Sequence, residues 1–326
     1  MRALYYTGTM QMEMRDTDMP VPGPGQSVVK VSHSGICGSD MHAWHGHDAR
    51  RVPPLVLGHE AVGVVSQGPD QGKRVAINPL LMCGTCWACT SGNEHLCPER
   101  ALIGLKVPGA YAEYVAIDTA NLTVLEDGFA FDQAVLAEPL AVCVHAVRIG
   151  DERHAGPDGE VVVLGGGAIG LLPAFVYRNR GVDRLWIAES NPVRRAALEL
   201  VIDANIYDPA AGGPPMEKVD IVFDAVGSGR TRAAASAMVR PGGTIVHTGL
   251  QDSAEGLDTR RITLQEISFI GTYCYTKVDF AAGLDLLRAG KVTRDGWTEI
   301  RDLDAGAQSF QDIHDGKAPP KIILTC

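Results

Sequence analysis

The sequence lacks the features that mark nucleic-acid-binding, membrane and exported proteins. Its 326 residues contain no run of lysine and arginine, and the formal net charge is −10, so nucleic acid is not an expected partner. No apolar stretch approaches the roughly 20 residues that a membrane helix needs, and the first ten residues lack the apolar core of a signal peptide. We therefore expect a soluble, cytoplasmic protein that binds neither a membrane nor nucleic acid.

Internal repeats and low-complexity segments are also absent, and the length suggests about two domains. Short β-branched runs bounded by glycine, proline and asparagine fill the first third of the chain. From about residue 160, apolar strands alternate with helical segments, which indicates a parallel sheet covered on both faces. The last part of the chain shows a mixture of strand-like and helix-like patterns. We predict one domain interrupted by another, with a β-rich domain at 1–148, an α/β domain at 149–275 and a return to the first domain at 276–326.

Cysteine is more informative than its count of eight suggests, because half of the cysteines lie within fifteen residues. They form a C-x2-C-x2-C-x7-C pattern: Cys83, Cys86, Cys89 and Cys97. In a cytosolic chain such close spacing indicates a metal site more often than disulfides. Four thiolates with no open coordination position describe a structural Zn²⁺ site. An iron–sulfur cluster and unliganded thiols are the alternatives, and nothing else in the sequence suggests electron transfer.

A glycine-rich turn follows the apolar run "VVVL". Gly165, Gly167 and Gly170 form G-x-G-x-x-G after a predicted strand and at the start of a predicted helix, the context that dinucleotide binding requires. The next predicted strand ends in Glu189, whose carboxylate would accept hydrogen bonds from ribose hydroxyls and favour NAD over NADP. Arg194 follows closely and offers a possible contact to a 2′-phosphate. A tight turn without a ligand is the alternative.

The stretch from Gly35 to Glu60 has the residue types of a second metal site. A catalytic zinc needs about three protein ligands and one open position. Cys37 and His59 each lie beside glycine, and Glu60 follows at once, while Glu138 offers a distant carboxylate. His45 and His47, in the polar middle of this stretch, are expected to be solvated.

Taken together, these motifs carry a resemblance. "GICGSDMH", "GHEAVGVV", the four-cysteine segment, "EPLAVCVHAV" and "GGGAIG" occur in the order found in zinc-dependent medium-chain dehydrogenases/reductases of the alcohol dehydrogenase superfamily. The sequence is most similar to the sorbitol (polyol) and threonine dehydrogenase branch. The resemblance implies an α/β fold with a GroES-like β-rich catalytic domain, a doubly wound parallel-sheet Rossmann domain and an active site in the cleft between them.

The resemblance also implies roles for individual residues. Cys37, His59 and Glu60 match the ligands of the catalytic zinc, and Glu138 matches a carboxylate that binds the zinc's water or replaces Glu60. Ser39 matches the hydroxyl that passes the substrate proton outward. Further matches are His42 in that relay, Ile169, Glu189 and Arg194 at the cofactor's adenosine and pyrophosphate, and Thr248, Gly249, Leu250, Thr272 and Tyr273 on its nicotinamide side.

The implied enzyme uses two Zn²⁺ per chain, one catalytic and one structural, and transfers a hydride from a secondary alcohol to NAD. A polyol or sugar alcohol is the expected substrate; a sugar-alcohol phosphate and an amino-alcohol such as threonine are alternatives. Trp44, Arg50, Tyr111 and Tyr275 are expected to border the substrate. The chain departs from the polyol branch at "GTYCY", where Cys274 replaces an arginine that often precedes the tyrosine.

Two rival functions remain open at this stage. A zinc-stabilised NAD-binding protein without catalysis would have no need of the open site at Cys37, and a zinc-free quinone reductase would lack both cysteine motifs. The resemblance further implies a homodimer or homotetramer.

Overall fold

The computed structural model of the chain describes residues 1–154, 159–212, 218–252 and 254–326. These residues divide into two compact units: unit 1 comprises Met1–Glu138 and Thr298–Cys326, and unit 2 comprises Pro139–Trp297. One unit is thus inserted into the sequence of the other, but both boundaries differ from the predicted 148/149 and 275/276.

The differences have a physical cause in two helices. The polar stretch at the first predicted boundary forms the last turn of a helix, Ala137–Arg153, and not a linker. The predicted return at residue 276 precedes a second helix, Lys277–Arg288, which is tied to the first. Asp279 of the second helix accepts hydrogen bonds from His145 Nδ1 at 2.8 Å and from Arg148 Nε at 2.9 Å. Unit 2 therefore continues to Trp297.

Unit 1 is rich in strands, as its short β-branched runs predict. Its described elements are β1 Arg2–Gly8, β2 Gln11–Asp16, β3 Gln26–Gly35, α1 Gly38–Trp44, β4 Leu55–Val56, β5 Glu60–Gln67, β6 Arg74–Ile77, β7 Leu80–Leu81, α2 Trp87–Thr90, β8 Ala101–Leu102, β9 Tyr114–Asp118, β10 Leu122–Val124, α3 Phe131–Ala134, then β17 Thr298–Asp302, α10 Gly306–His314 and β18 Lys321–Thr325, with 3₁₀ turns at Glu94–Leu96, Thr119–Asn121 and Leu303–Ala305.

The central sheet of unit 1 joins strands from both ends of the chain. Its order is β10-β6-β5-β3-β18-β17, and β9 also pairs with β3. A smaller sheet has the order β2-β1-β4. Alternate residues of β3 and β5, including Val29, Val31 and Val65, pack with Val75 and Ile117 into one apolar core. This packing fixes the end of β3 and the start of β5, where the candidate metal ligands begin.

Unit 2 alternates strands and helices. Its described elements after α4, Ala137–Arg153, are β11 Val161–Leu164, α5 Ala168–Asn179, β12 Leu185–Ala188, α6 Pro192–Val201, β13 Asn205–Tyr207, β14 Val219–Asp224, α7 Gly229–Met238, β15 Val239–His247, α8 Thr259–Leu264, β16 Ser268–Gly271 and α9 Lys277–Arg288.

The six strands of unit 2 form one parallel sheet in the order β13-β12-β11-β14-β15-β16. Numbered within the unit, this order is 3-2-1-4-5-6, which is that of dinucleotide-binding Rossmann folds. Every residue of β11 is buried, because helices cover both faces of the sheet. Ligands of such sheets bind outside the carboxyl ends of the strands.

The segment Phe131–Arg153, which contains α3 and α4, is long and apolar enough to cross a membrane by length and composition alone. This finding corrects the expectation that no stretch approaches that length; the segment was missed because charged residues interrupt it. Most of it is buried inside the fold, as in the core helix of a soluble protein.

Candidate zinc and cofactor sites

The four clustered cysteines converge in unit 1. Their sulfur atoms all lie within 4.8 Å of one another, with separations of 3.9 Å for Cys83–Cys89 and 3.6 Å for both Cys86–Cys89 and Cys83–Cys97. A tetrahedron with Zn–S bonds of about 2.3 Å has S–S edges of about 3.8 Å. The cysteines are free thiols, and the separations are far too long for disulfides. The cluster therefore fits a structural zinc.

Replacing Cys97 by serine should remove one zinc per chain and lower the free energy of unfolding by several kcal/mol, because a structural zinc contributes its binding energy to folding. The fraction of soluble protein and the melting temperature, measured together with zinc content, check this. Cys326→Ser, the same change outside the cluster in the same unit, should leave zinc content unchanged. A Cys97→Ser protein that retains two zincs would contradict the assignment.

A second group combines a thiol, an imidazole and a carboxylate. One ligand atom from each of Cys37, His59 and Glu60 lies within 4.8 Å of the other two. Cys37 precedes α1, while His59 and Glu60 stand at the start of β5, which pairs with β3 up to Gly35↔Glu60. Glu60 is fully buried, and its Oε1 makes no hydrogen bond within the described part of the chain. A buried carboxylate oxygen of this kind fits a metal ligand.

Asp40 supports the imidazole of this group. Its Oδ1 lies 3.5 Å from His59 Nδ1, and its Oδ2 accepts a hydrogen bond of 2.6 Å from Tyr111 Oη. Burial raises the pKa of Asp40, but His59, Arg51 and Tyr111 outweigh burial and lower the pKa to about 2. The carboxylate therefore stays charged and faces Nδ1, which leaves Nε2 as the ring nitrogen for a metal.

Glu60 is held by a cation from the end of the chain. Lys321 Nζ pairs with Glu60 Oε2 and also donates to Ile36 O at 2.9 Å, and both side chains are almost completely buried. Gly35 makes the room for this arrangement, because a Cβ there would lie 2.0 Å from Glu60 Oε2. The pair balances one charge of the carboxylate and fixes its orientation.

Two predicted relay residues lie on α1. Ser39 Oγ donates to Cys37 Sγ at 3.5 Å and accepts from Arg51 Nη2 at 3.2 Å, so it is adjacent to the candidate metal group. His42 is half-buried one turn further along the helix, and burial, together with His47, lowers its pKa. Glu138 is buried at the start of α4 but is not a member of the tight Cys37–His59–Glu60 group.

The glycine motif of unit 2 lies at the carboxyl end of β11. Gly165 has a φ of +98°, which favours glycine, and Gly167 caps the N-terminus of α5, whose first turn contains Ile169. A Cβ on Gly170 would lie 1.7 Å from Gly165 O, so only glycine lets the helix approach the turn. The backbone N–H groups at this helix start favour a phosphate.

The acid after β12 contacts the glycine turn directly. Glu189 Oε2 accepts from Gly166 N and Oε1 accepts from Asn191 N, each at 2.7 Å. Each carboxylate oxygen keeps a second lone pair, so Glu189 can still accept from ribose hydroxyls. Arg194 lies in the first turn of α6, and its Nε makes no hydrogen bond in the described residues.

The predicted nicotinamide-side residues follow the next two strands. Thr248 and Gly249 come after β15, and each donates its backbone N–H to Asp224 O at 3.0 Å. Leu250 follows and is exposed. Thr272 and Tyr273 come after β16, the neighbouring parallel strand. The predicted cofactor contacts therefore share the carboxyl edge of one sheet, which is the binding edge of such folds.

The predicted substrate residues do not form a surface. Trp44 is 2% exposed and belongs to an apolar core with Phe310, while Tyr111 and Tyr275 are fully buried. All three side chains pack inward, as aromatic side chains do where core space is available, and their predicted role at the substrate stays a prediction. Arg50 is exposed, but its guanidinium binds both oxygens of Asp48.

Several residues around these sites were not found from the sequence. Asp40 had a signal, since the acid in "CGSD" stands one helical turn from Cys37. Lys321, Arg51 and Asp224 had none, because their partners are distant in sequence or become buried only in the folded chain. Asp224, fully buried, holds the turn after β14 through Val226 N and Gly227 N.

Comparisons with known proteins agree with both units. Residues 23–127 match the alcohol dehydrogenase GroES-like domain, and residues 168–289 match the zinc-binding dehydrogenase family. L-galactonate-5-dehydrogenase of Escherichia coli is 31% identical over 302 residues, covering 87% of this chain and 86% of that protein. The chain belongs to the zinc-dependent medium-chain dehydrogenases/reductases. The family resemblance predicted from the motifs is thereby confirmed, as is the α/β fold of a GroES-like unit with a Rossmann unit.

Two further comparisons extend this result for the zinc-dependent dehydrogenase. The 2-dehydro-3-deoxy-L-galactonate 5-dehydrogenase of Pseudoalteromonas atlantica is 30% identical over 307 residues, covering 90% of this chain and 89% of that protein. A solved zinc-binding dehydrogenase of Sinorhizobium meliloti, bound to NADP, superposes with a TM-score of 0.86 at 27% identity, covering 100% of this chain and 99% of that one. This chain is accordingly a soluble enzyme, a zinc-dependent oxidoreductase that acts on small-molecule alcohols with a nicotinamide cofactor.

Proposed function

We propose that the enzyme oxidises a secondary hydroxyl of a sugar-derived polyol chain with NAD, and that Cys37, His59 and Glu60 hold its catalytic zinc. The tight convergence of these three side chains carries the proposal. A thiolate, an imidazole and a carboxylate supply three ligands and leave the fourth position for the substrate oxygen. Cys83, Cys86, Cys89 and Cys97 hold the structural zinc, which gives two zincs per chain.

In the proposed mechanism, Cys37, His59 and Glu60 would hold a zinc ion that, when bound, would supply Lewis acidity to the substrate hydroxyl, and the nicotinamide cofactor would supply the hydride acceptor. The residues of the chain position these groups. Asp40 fixes the tautomer and the orientation of the His59 ring. Lys321 fixes the orientation of the Glu60 carboxylate. Ser39 receives the proton of the substrate hydroxyl and passes its own proton outward, towards His42. Glu138 remains the candidate for holding a water molecule near the metal.

Two relatives support the substrate class, because the names of both specify oxidation at carbon 5 of a sugar acid. We therefore include sugar acids with free polyols in the proposed class. The test is a panel of sugar acids, free polyols, polyol phosphates and threonine, each assayed for NADH formation by absorbance. The highest kcat/KM is expected for a sugar acid or free polyol. Preference for a phosphate or threonine would move the substrate to that class, and no turnover with any secondary alcohol would contradict the proposal.

NAD preference over NADP is assigned to the charge of Glu189. Glu189→Gln removes the charge that repels a 2′-phosphate and keeps an acceptor oxygen for one of the two backbone N–H groups, those of Gly166 and Asn191. The ratio of kcat/KM for NAD to that for NADP should fall about 10- to 100-fold, because hydrogen bonds to a charged group contribute about 1.5–3 kcal/mol. Glu199→Gln, an exposed acid on α6, is the matched control. An unchanged ratio in Glu189→Gln would show that another residue sets the preference.

We also propose that the enzyme works in the cytoplasm as a homodimer or homotetramer. Strand β16 ends the order of the parallel sheet, so one of its edges pairs with no strand within the described residues. Exposed Leu264 lies just before this strand. An open edge of this kind is a ready surface for strand pairing between two copies. The mass of the protein in solution, measured by light scattering, tests the oligomeric state.

A further inference from the structure

Arg51 carries a permanent positive charge in the interior of unit 1. Its side chain is only 2% exposed, although its neighbours in the sequence, from Gly46 to Val52, form a polar loop. Arginine is the side chain that proteins use most often for buried ion pairs, so Arg51 brings a full positive charge into this interior. A buried permanent charge needs a fixed set of partners.

The partners of Arg51 hold the guanidinium on three sides. Nε donates to Gly104 O at 3.0 Å, and Nη1 donates to Asp48 Oδ2 at 2.6 Å. Nη2 donates to Ser39 Oγ at 3.2 Å and lies 3.8 Å from Asp40 Oδ1. Gly104 and Asp48 thus anchor the cation, and its remaining hydrogen-bonding arm reaches the hydroxyl that is adjacent to the candidate zinc ligands.

The chemistry of arginine determines what this contact does to Ser39. Arginine has donors and no acceptor, so Ser39 Oγ must be the acceptor in this hydrogen bond. A hydroxyl has two lone pairs and one hydrogen, so the contact with Arg51 leaves one lone pair and the hydrogen for other partners. In the structure that hydrogen is directed to Cys37 Sγ, at an Oγ–Sγ distance of 3.5 Å. Arg51 and Cys37 therefore restrict the rotation of the hydroxyl, and one lone pair of Ser39 Oγ stays open to an incoming proton.

We propose that Arg51 is a positioning residue for the proton-transfer step, acting through Ser39. The substrate hydroxyl gives its proton to the open lone pair of Ser39 Oγ, and Ser39 releases its own hydrogen from the contact with Cys37 Sγ and passes it outward, towards the imidazole of His42. Ser39 ends the step with one hydrogen, as it began. This inference rests on the proposed role of Ser39.

The experiment compares Arg51→Met, Arg51→Lys, Ser39→Ala and the double variant Ser39→Ala/Arg51→Met. Arg51→Met should lower kcat about 10- to 100-fold, the usual range for a charged hydrogen bond, with KM for NAD and zinc content little changed. Arg51→Lys should recover most of the loss, because lysine restores a donor and the charge. In the Ser39→Ala background, Arg51→Met should have an effect below about twofold, since residues that act through one another are not additive.

A control and a structural readout separate positioning from general stability. Arg301→Met removes another half-buried arginine of unit 1, paired with Glu299 and Asp312, and should leave kcat unchanged. Crystal structures should show the Ser39 side chain in one rotamer in the unaltered enzyme and in Arg51→Lys, and in a different or mixed rotamer in Arg51→Met. A single unchanged rotamer in Arg51→Met would overturn the inference.

The outcomes distinguish this inference from the proposed function. Near-full activity of Ser39→Ala would contradict the proposed relay itself. A large loss in Ser39→Ala with none in Arg51→Met would overturn only the role of Arg51. Equal further losses on adding Arg51→Met to the unaltered and the Ser39→Ala enzyme would also overturn it, because Arg51 would then act independently of Ser39.

Discussion

Replacing Cys37 by serine should lower kcat by about 10³-fold or more while NADH still binds. The thiolate is one of three proposed ligands of the catalytic zinc, and losing Lewis-acid stabilisation raises the activation free energy by several kcal/mol. Each increase of about 1.4 kcal/mol lowers the rate tenfold. The cofactor residues belong to unit 2, a separate compact unit, so the dissociation constant of NADH should change little. The measurements are kcat, zinc content and NADH fluorescence titration.

The controls for this prediction use other cysteines of the same unit. Cys326→Ser should retain full activity and two zincs. Cys97→Ser should lose stability, and whatever fraction remains folded should keep the zinc at Cys37. Metal analysis of Cys37→Ser should find one zinc per chain. A Cys37→Ser enzyme with near-normal turnover would refute the catalytic site as assigned.

Replacing Gly170 by alanine should destabilise unit 2 by about 3 kcal/mol or more, at the upper end of the usual cost of overpacking. The new Cβ would lie 1.7 Å from Gly165 O and 2.8 Å from Gly165 C, both backbone atoms of the turn after β11. Neither atom can move without displacing the strand or α5. The expected result is a clear decrease in melting temperature, measured by circular dichroism, together with weaker NAD binding.

Gly167→Ala is the matched control, because the two glycines belong to the same motif but have different surroundings. A Cβ on Gly167 meets nothing within 4 Å. Its melting temperature should stay close to that of the unaltered protein, whereas its affinity for NAD should fall, since the added methyl group stands where the pyrophosphate approaches the backbone. Equal loss of stability in both variants would contradict this division of roles.

The sequence was sufficient to predict those features of the structure that one local pattern of residues determines. The cysteine spacing predicted the four-sulfur cluster, and the glycine motif was placed correctly between β11 and α5 because strand, turn and helix are adjacent in the chain. Alternation of β-branched residues likewise predicted strands such as β3 and β5. These features depend on contacts between near neighbours, which composition and spacing encode.

The sequence was insufficient to predict the burial and the partners of side chains that pack against residues far away in the chain. Tyr111 was predicted at the substrate mouth, but it is buried and donates to Asp40, 71 residues earlier in the chain. Arg51 has polar neighbours in the sequence, which would favour a solvent-exposed side chain, yet it is buried and donates hydrogen bonds to Asp48 and Gly104. The domain boundaries failed for a similar reason, since the contact of Asp279 with His145 joins residues 134 positions apart. Burial and pairing of this kind have no local signal.

The position of β18 has a consequence for how the protein is made. This strand lies between β3 and β17 in the central sheet of unit 1 and supplies the Lys321 partner of Glu60, while unit 2 is encoded wholly between the two segments of unit 1. During synthesis, unit 2 emerges from the ribosome in full before the last strands of unit 1 exist. Since domains generally fold as they emerge, the NAD-binding unit should fold first. Until Lys321 has been translated, the carboxylate of Glu60 lacks its lysine partner, so the proposed catalytic metal site is among the last parts of the nascent chain to take its final form.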